Sequence, residues 1–209
     1  MDNLMDVITA PENLLSAWRS VRGNVPRGRR SHSAGPDGVT LNEFERDLSA
    51  QLNTLRDMLV NERYQPAAPK IIHIPKSNGG KRTIGVLNVS DRVAQRATVQ
   101  VLNPLWESEF AECSFGFRTG RGAMDAVRYV QTLRAQGHGW MVEADIEDCF
   151  NSLDHDLVLK RVKQRVPDGR VVNLLTRWLD AGVLGAGLPA SPESAEAVEP
   201  DRWQRAGNG

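Results

Sequence analysis

The chain has 209 residues, 40% of them hydrophobic and 25% charged, with 26 basic side chains balanced by 26 acidic ones. That suffices for one good core, or a core and a smaller lobe, with the composition of an ordinary globular protein. Two distant cysteines, Cys113 and Cys149, form no CxxC, which argues against a disulfide framework or a zinc site. No apolar run is long enough for a membrane span, and the acidic start MDNLMDVITAPENLL is not a signal peptide, so a cytoplasmic protein is expected.

In chain order, Pro11 to Val21 reads as a helix with Leu14, Leu15 and Trp18 on one face. RGNVPRGRRSHSAGPDG is rich in Gly, Pro and Arg and reads as a flexible arm or loop. Thr40 to Asn61 shows Leu41, Phe44, Leu48, Leu52, Leu55 and Leu59 at helical spacing, with Thr40 and Glu43 as a capping box. The period then shifts. KIIHIPKSNGGKRTIGVLNV is two β-type runs around Ser77-Asn78-Gly79-Gly80, a hairpin with a basic tip. A helix from Ser90 carries Val93, Ala94, Ala97 and Val101 and ends near Asn103-Pro104. SFGFRTGRG is a Gly-punctuated loop before a helix over residues 123–136, with Met124, Val127, Val130 and Leu133 expected inward.

Trp140 to Phe150, WMVEADIEDCF, reads as a strand ending in a knot of acids. Val142, Ala144 and Ile146 alternate with Glu143, Asp145 and Glu147, the pattern of a buried strand opening into a charged pocket. Four acids in six residues repel one another unless a cation or a basic partner is present, and hard carboxylate oxygens suit Mg²⁺. A helix follows from its N-cap Asp154, then an amphipathic stretch with Leu174, Leu175, Trp178 and Leu179. Beyond Gly182 the Ala-, Pro- and Glu-rich sequence has no periodicity and is expected to be irregular or disordered.

The zero net charge hides an asymmetry. Arg63 to Arg96 contains seven Lys or Arg and one acid, Asp91, and Arg19 to Arg30 contains five Arg and no acid. From Gly139 onward twelve acids face eight bases. Basic segments ahead of an acidic, metal-type site suit a polyanion held near a cation, although solvated faces explain the charges as well. A basic hairpin tip, a Gly/Arg loop and a strand-end aspartate together make the elements of phosphoryl transfer.

Four ordered runs carry a family likeness: AGPDGVT, ERYQPAAPKIIHIPKSNGGKRTIGVLNVSDRVAQRA, LNPLWESEFAECSFGFRTGRGAMDAV and EADIEDCFNSLDHDLVL. On them the chain resembles the reverse transcriptases, most closely the group II intron-type and related bacterial ones. The resemblance implies an α+β polymerase right-hand fold: a fingers lobe and the first part of a palm, with no thumb. The implied division is an N-terminal helix and basic arm over 1–33, fingers over 34–138, a partial palm with the first catalytic strand over 139–182, and a tail over 183–209.

By the same resemblance Asp145 is the first metal-binding aspartate, and Ile146 lends a backbone carbonyl to the Mg²⁺. Phe150 is the steric gate against a ribose 2′-hydroxyl. Lys76 and Arg82 contact the triphosphate of the incoming dNTP. Phe117, Arg118 and Arg121 lie where such enzymes meet the RNA template and DNA primer, with loop stabilisation the competing role for the two arginines. Asp154 and Asp156 are read as helix-start acids.

The chain departs from the family pattern in its second catalytic element and in having no thumb. No Tyr-x-Asp-Asp hairpin follows the Trp178 helix, and no adjacent Asp-Asp pair occurs anywhere in it. A two-metal site needs carboxylates from both sides of its cleft. The expectation is therefore a portion of an RNA-directed DNA polymerase, inactive alone, either a relic or one part of a split enzyme completed by a second polypeptide. A non-catalytic RNA-binding module is the alternative, and a metal-dependent nuclease built on Glu143 to Asp148 a distant third.

Overall fold

The computed structural model describes residues 3–75, 81–146, 149–150 and 152–182, with 81–83 described for their backbone only. Among these, the chain divides into two units, one of residues up to Ser108 together with those from Asp145 on, the other Glu109–Ala144. The tail expected after Gly182 lies outside the described residues.

The first unit is helical around one core. Its helices are α1 (Leu4–Ile8), α2 (Pro11–Gly23), α3 (Leu41–Arg46), α4 (Leu48–Val60), α5 (Val89–Leu102), α7 (His155–Lys163) and α8 (Gly169–Asp180). Proline at the first position starts α2, where its missing N–H costs nothing. Leu14, Ala17, Trp18 and Val21 then recur on one buried stripe that packs on α5 through Val93, Ala94 and Ala97. Trp18 stacks on Phe44 with ring centroids 5.1 Å apart.

Several sequence expectations change here. The single helix expected over Thr40 to Asn61 is two, broken at Asp47 (φ −117°, ψ 36°). The capping box is present: Glu43 N–H donates to Thr40 Oγ1 at 3.2 Å and Thr40 N–H to Glu43 Oε2 at 2.8 Å. The Thr40 hydroxyl, donating to Glu43 Oε2 at 2.7 Å, and the Thr40 N–H hold the Glu43 carboxyl below its usual range. The break lets Leu41 and Phe44 on one helix, and Leu55 and Leu59 on the next, enter the same core. An aspartate is a weak helix-interior residue, which suits it to that position.

The arm read as flexible is an ordered 3-10 segment, Arg27–His32. It is tied down locally: Arg30 Nε donates to the Val25 carbonyl at 3.1 Å, and Ser33 Oγ donates to the Arg30 carbonyl at 2.6 Å while accepting from Leu41 N–H at 3.0 Å.

The helix α1 escaped the sequence reading. Met5 and Ile8 bury completely, and Met5 N–H donates to Asp168 Oδ2 at 2.9 Å. Asp168 is also the N-cap of α8, accepting from Arg170 N–H at 3.0 Å. Arg170 closes the cluster by pairing with Asp168 and, at 3.0 Å, with Asp6. Burial pushes the Asp168 carboxyl up, but the bonds from Arg170 and Met5 outweigh it and hold it below its usual range.

The two strands β1 (Lys70–Pro75) and β2 (Lys81–Val86) form an antiparallel hairpin, in register from Lys70 opposite Val86 to Pro75 opposite Lys81. Its turn, residues 76–80, lies outside the described residues. In the second unit, α6 (Ala123–Ala135) follows the loop of residues 109–122. Its apolar stripe has the expected spacing but the wrong environment: Met124, Val127 and Val130 are exposed, and Leu133 is half-buried.

The largest correction concerns the acidic run. Residues 139–146 adopt no strand, and all of them are exposed, Trp140 at 99% and Val142 at 91%. The alternating pattern is real, but a strand exists only where a neighbour takes its N–H and C=O groups, and none of the described residues does so here.

Candidate functional site

Asp145 and Ile146 end that exposed run. Glu147, Asp148 and Asn151 lie outside the described residues. Phe150 is about half exposed and Cys149 half-buried, with the Ser152 hydroxyl donating to the Cys149 carbonyl at 3.0 Å. Asp154 is a helix-start acid, as read from the sequence: its side chain accepts from Leu157 N–H at 3.0 Å.

No three His, Cys, Asp or Glu side chains among the described residues converge closely enough to hold a metal ion. Mg²⁺ wants about six oxygens in near-octahedral array. Asp145 with the adjoining carbonyl of Ile146 does not amount to such a centre, so the described residues by themselves do not fit the metal.

Of the two residues expected on the triphosphate, Lys76 lies outside the described residues. Arg82 is described by its backbone, opposite Ile74. β1 is exposed along its whole length, whereas Ile84 and Val86 of β2 are half-buried and Gly85 is buried.

Behind the hairpin sits a buried polar network that sequence reasoning did not assign. Asp91, in the first turn of α5, is 2% exposed. Its Oδ1 accepts from the Tyr64 hydroxyl at 2.5 Å and its Oδ2 from Ala67 N–H at 3.4 Å. Tyr64 Oη accepts in turn from Trp178 Nε1 at 3.3 Å, and the two rings meet edge to face. Arg177 Nη1 donates to the Glu62 and Tyr64 carbonyls at 2.7 and 2.9 Å. Burial raises the Asp91 carboxyl above its usual range despite the Tyr64 and Ala67 donors, and burial with the nearby Asp91 charge pushes the Tyr64 phenol far up. The available signal was charge: Asp91 is the lone acid of the basic block.

In the second unit, Phe117, Arg118 and Arg121 share one loop, and the two arginines serve it internally. Arg118 is 9% exposed; its Nη1 donates to the Ala111 and Ser114 carbonyls at 2.9 and 3.0 Å, and its guanidinium lies over the Phe110 ring at 5.2 Å. Arg121 pairs with Glu112 at 2.8 Å and lies over Phe115 at 5.7 Å. The Arg121 hydrogen bond and charge hold the Glu112 carboxyl below its usual range. Between the arginines, Phe117 has a left-handed backbone (φ 58°) and is 75% exposed.

Residues 74–196 match a family model described as reverse transcriptase (RNA-dependent DNA polymerase). The chain is similar to Protein YkfC of Escherichia coli (strain K12), 35% identical over 192 residues that make up 90% of this chain and 49% of that protein. It is similar to the group II intron-encoded protein LtrA of Lactococcus lactis subsp. cremoris, 30% identical over 122 residues, 58% of this chain and 20% of that one. A third relative is Nuclear intron maturase 1, mitochondrial, of Arabidopsis thaliana, 29% identical over 85 residues, 41% of this chain and 12% of that one. The chain thus spans about half the length of the first relative (49%) and smaller shares of the others.

Proposed function

The chain belongs to the reverse transcriptase (RNA-dependent DNA polymerase) family, and from that premise we propose that it is the fingers and first palm portion of a group II intron-type RNA-directed DNA polymerase. Its reaction class is nucleotidyl transfer from dNTPs to a DNA primer on an RNA template. The observation that carries this reading is the family match over residues 74–196, which takes in the turn and second strand of the basic hairpin and the acidic run. Asp145 is the proposed catalytic carboxylate, and the Ile146 carbonyl its neighbour at the reaction centre. Phe150 is proposed to exclude the 2′-hydroxyl, and Lys76 and Arg82 to grip the triphosphate.

In the loop of the second unit the roles divide. Phe117 is proposed to meet template or primer by stacking, and Arg118 and Arg121 to act through it by holding the loop. Their guanidinium groups are engaged with Ala111, Ser114 and Glu112, which supports that division.

The divalent metal of this reaction class would need carboxylates besides Asp145. Within the chain no adjacent Asp-Asp pair supplies them. We place them on polypeptide beyond the described residues, in the same protein or a partner, and expect the 209-residue chain to be inactive alone. No helix among the described residues is long and apolar enough to cross a membrane; a cytoplasmic setting remains our proposal.

The test is binding of an RNA-template/DNA-primer duplex with a single-stranded template overhang. The reading expects salt-sensitive binding that weakens on Phe117→Ala. Binding indifferent to Phe117→Ala but lost on charge reversal at Arg27 and Arg29, exposed residues of the 3-10 segment, favours the alternative of a non-catalytic RNA-binding module.

A further inference from the structure

A two-stranded hairpin is marginal by itself in water. β1 is exposed throughout and only the end of β2, Ile84 to Val86, is half-buried or buried, so where this hairpin points depends chiefly on how its two legs leave the body.

The first leg leaves through residues 61–69. Glu62 takes a left-handed conformation (φ 52°) at the end of α4, a position where glycine is the relaxed choice. It is held there from α8: Arg177 takes its carbonyl at 2.7 Å and Asn173 Nδ2 reaches its carboxylate at 3.4 Å. Two residues on, the Tyr64 hydroxyl and then the Ala67 N–H converge on the Asp91 carboxylate. Pro66 and Pro69 stiffen the stretch on either side of Ala67, since proline fixes φ and restricts its predecessor. β1 begins at Lys70, three residues past the last Asp91 contact.

The second leg returns through Leu87, which is 1% exposed, and Asn88. Asp37 N–H donates to Asn88 Oδ1 at 3.1 Å. Gly35 packs so closely there that a Cβ on it would lie 2.5 Å from Asn88 N. The segment bearing Gly35 and Asp37 is fastened in turn by Arg92, whose Nη2 donates to the Ser33 carbonyl.

We propose that Asp91 and Arg92, consecutive in the first turn of α5, are positioning residues: Asp91 fixes the leg entering β1, and Arg92 fixes the segment that backs the leg leaving β2. Together they aim the basic tip that the hairpin carries. The aim matters to function only insofar as the tip grips a polyphosphate, so this deepens the reading above and rests on it. The network also explains why a carboxylate stays buried amid bases: its two oxygens meet one phenol and one backbone N–H that would otherwise be left without partners.

Hydrogen exchange on the 209-residue chain tests the mount. In Asp91→Asn, and separately in the milder Tyr64→Phe, the ladder amides of β1 and β2, every other residue along each strand, should exchange about tenfold faster or more, the size expected from a lost buried hydrogen-bond partner. Amides in α2 and the second half of α5 should change less than about twofold. Affinity for inorganic tripolyphosphate should fall in parallel. Hairpin amides that exchange as in the parent, or that accelerate only together with α2 and α5 in both variants, overturn the proposal. Lys76→Ala with Arg82→Ala separates the two claims. If tripolyphosphate binding ignores that pair, the tip is not a polyphosphate grip, and the exchange result still decides whether Asp91 mounts the hairpin, with Arg92→Gln read the same way for the leg leaving β2.

Discussion

Met5 N–H donates to Asp168 Oδ2 at 2.9 Å across 163 residues of sequence. The same carboxylate caps α8 and pairs with Arg170, so one side chain fastens the start of α1 to the start of α8. Asp168→Ala should therefore cost about 2–4 kcal/mol, the sum of a lost cap and a buried N–H left unpaired. Urea denaturation at neutral pH checks this, and loss of under about 1 kcal/mol would contradict it.

The pH dependence of that cluster has a definite sign. The folded Asp168 carboxyl lies below its usual range, so the native state binds fewer protons than the unfolded chain between the two values. Its stabilisation is fully present above the unfolded value and is lost as pH falls through the folded one. Asp168→Asn should thus flatten the acid side of the stability profile, below about pH 4, while lowering the plateau. Asp91 has the opposite sign: its folded carboxyl is raised, chiefly by burial, so its contribution is greatest at low pH and is lost as pH rises through the folded value. Asp91→Asn should lose that dependence. Denaturant midpoints across pH 3 to 7 for both variants would show the two slopes changing in opposite directions.

How much of this was legible in the sequence depends on where each residue's partners lie. The helices α2 and α5 declare themselves through local spacing, and the capping box of Thr40 and Glu43 is a three-residue pattern. The hairpin is announced by its turn residues. The acidic run is different: its alternation is a strand pattern, but strand formation needs a neighbour that no local window contains. Asp168 and Asp91 look like ordinary helix-start acids in the sequence. Their roles come from Met5, Tyr64 and Ala67, all more than twenty residues away. Arg118 and Arg121 were ambiguous because a guanidinium serves a carbonyl or a phosphate equally well; the fold spends them on the loop.

The Gly35 packing is a tight one. Gly35→Ala would place a Cβ 2.5 Å from Asn88 N and 2.6 Å from its Cα, backbone atoms that cannot rotate away. The cost should be about 1–3 kcal/mol, as for an overpacked site. A urea midpoint unchanged within error would show that the segment of residues 33–37 yields freely.

Arg118→Lys should not restore what Arg118→Ala removes. A lysine cannot make the two carbonyl bonds to Ala111 and Ser114 and lie flat over Phe110 at once. Both variants should open residues 110–121 to limited proteolysis while the helices of the first unit keep their exchange protection. Protection of that loop in the lysine variant equal to the parent would contradict the assignment.

Primer extension tests the central claim most directly. The account holds that Asp145 carries one side of a nucleotidyl-transfer centre whose other carboxylates lie outside the described residues. The 209-residue chain should bind an RNA-template/DNA-primer duplex yet add no dNTP in the presence of Mg²⁺, and Asp145→Ala should behave identically. Mg²⁺-dependent incorporation by the chain alone, abolished in Asp145→Ala, would contradict the account.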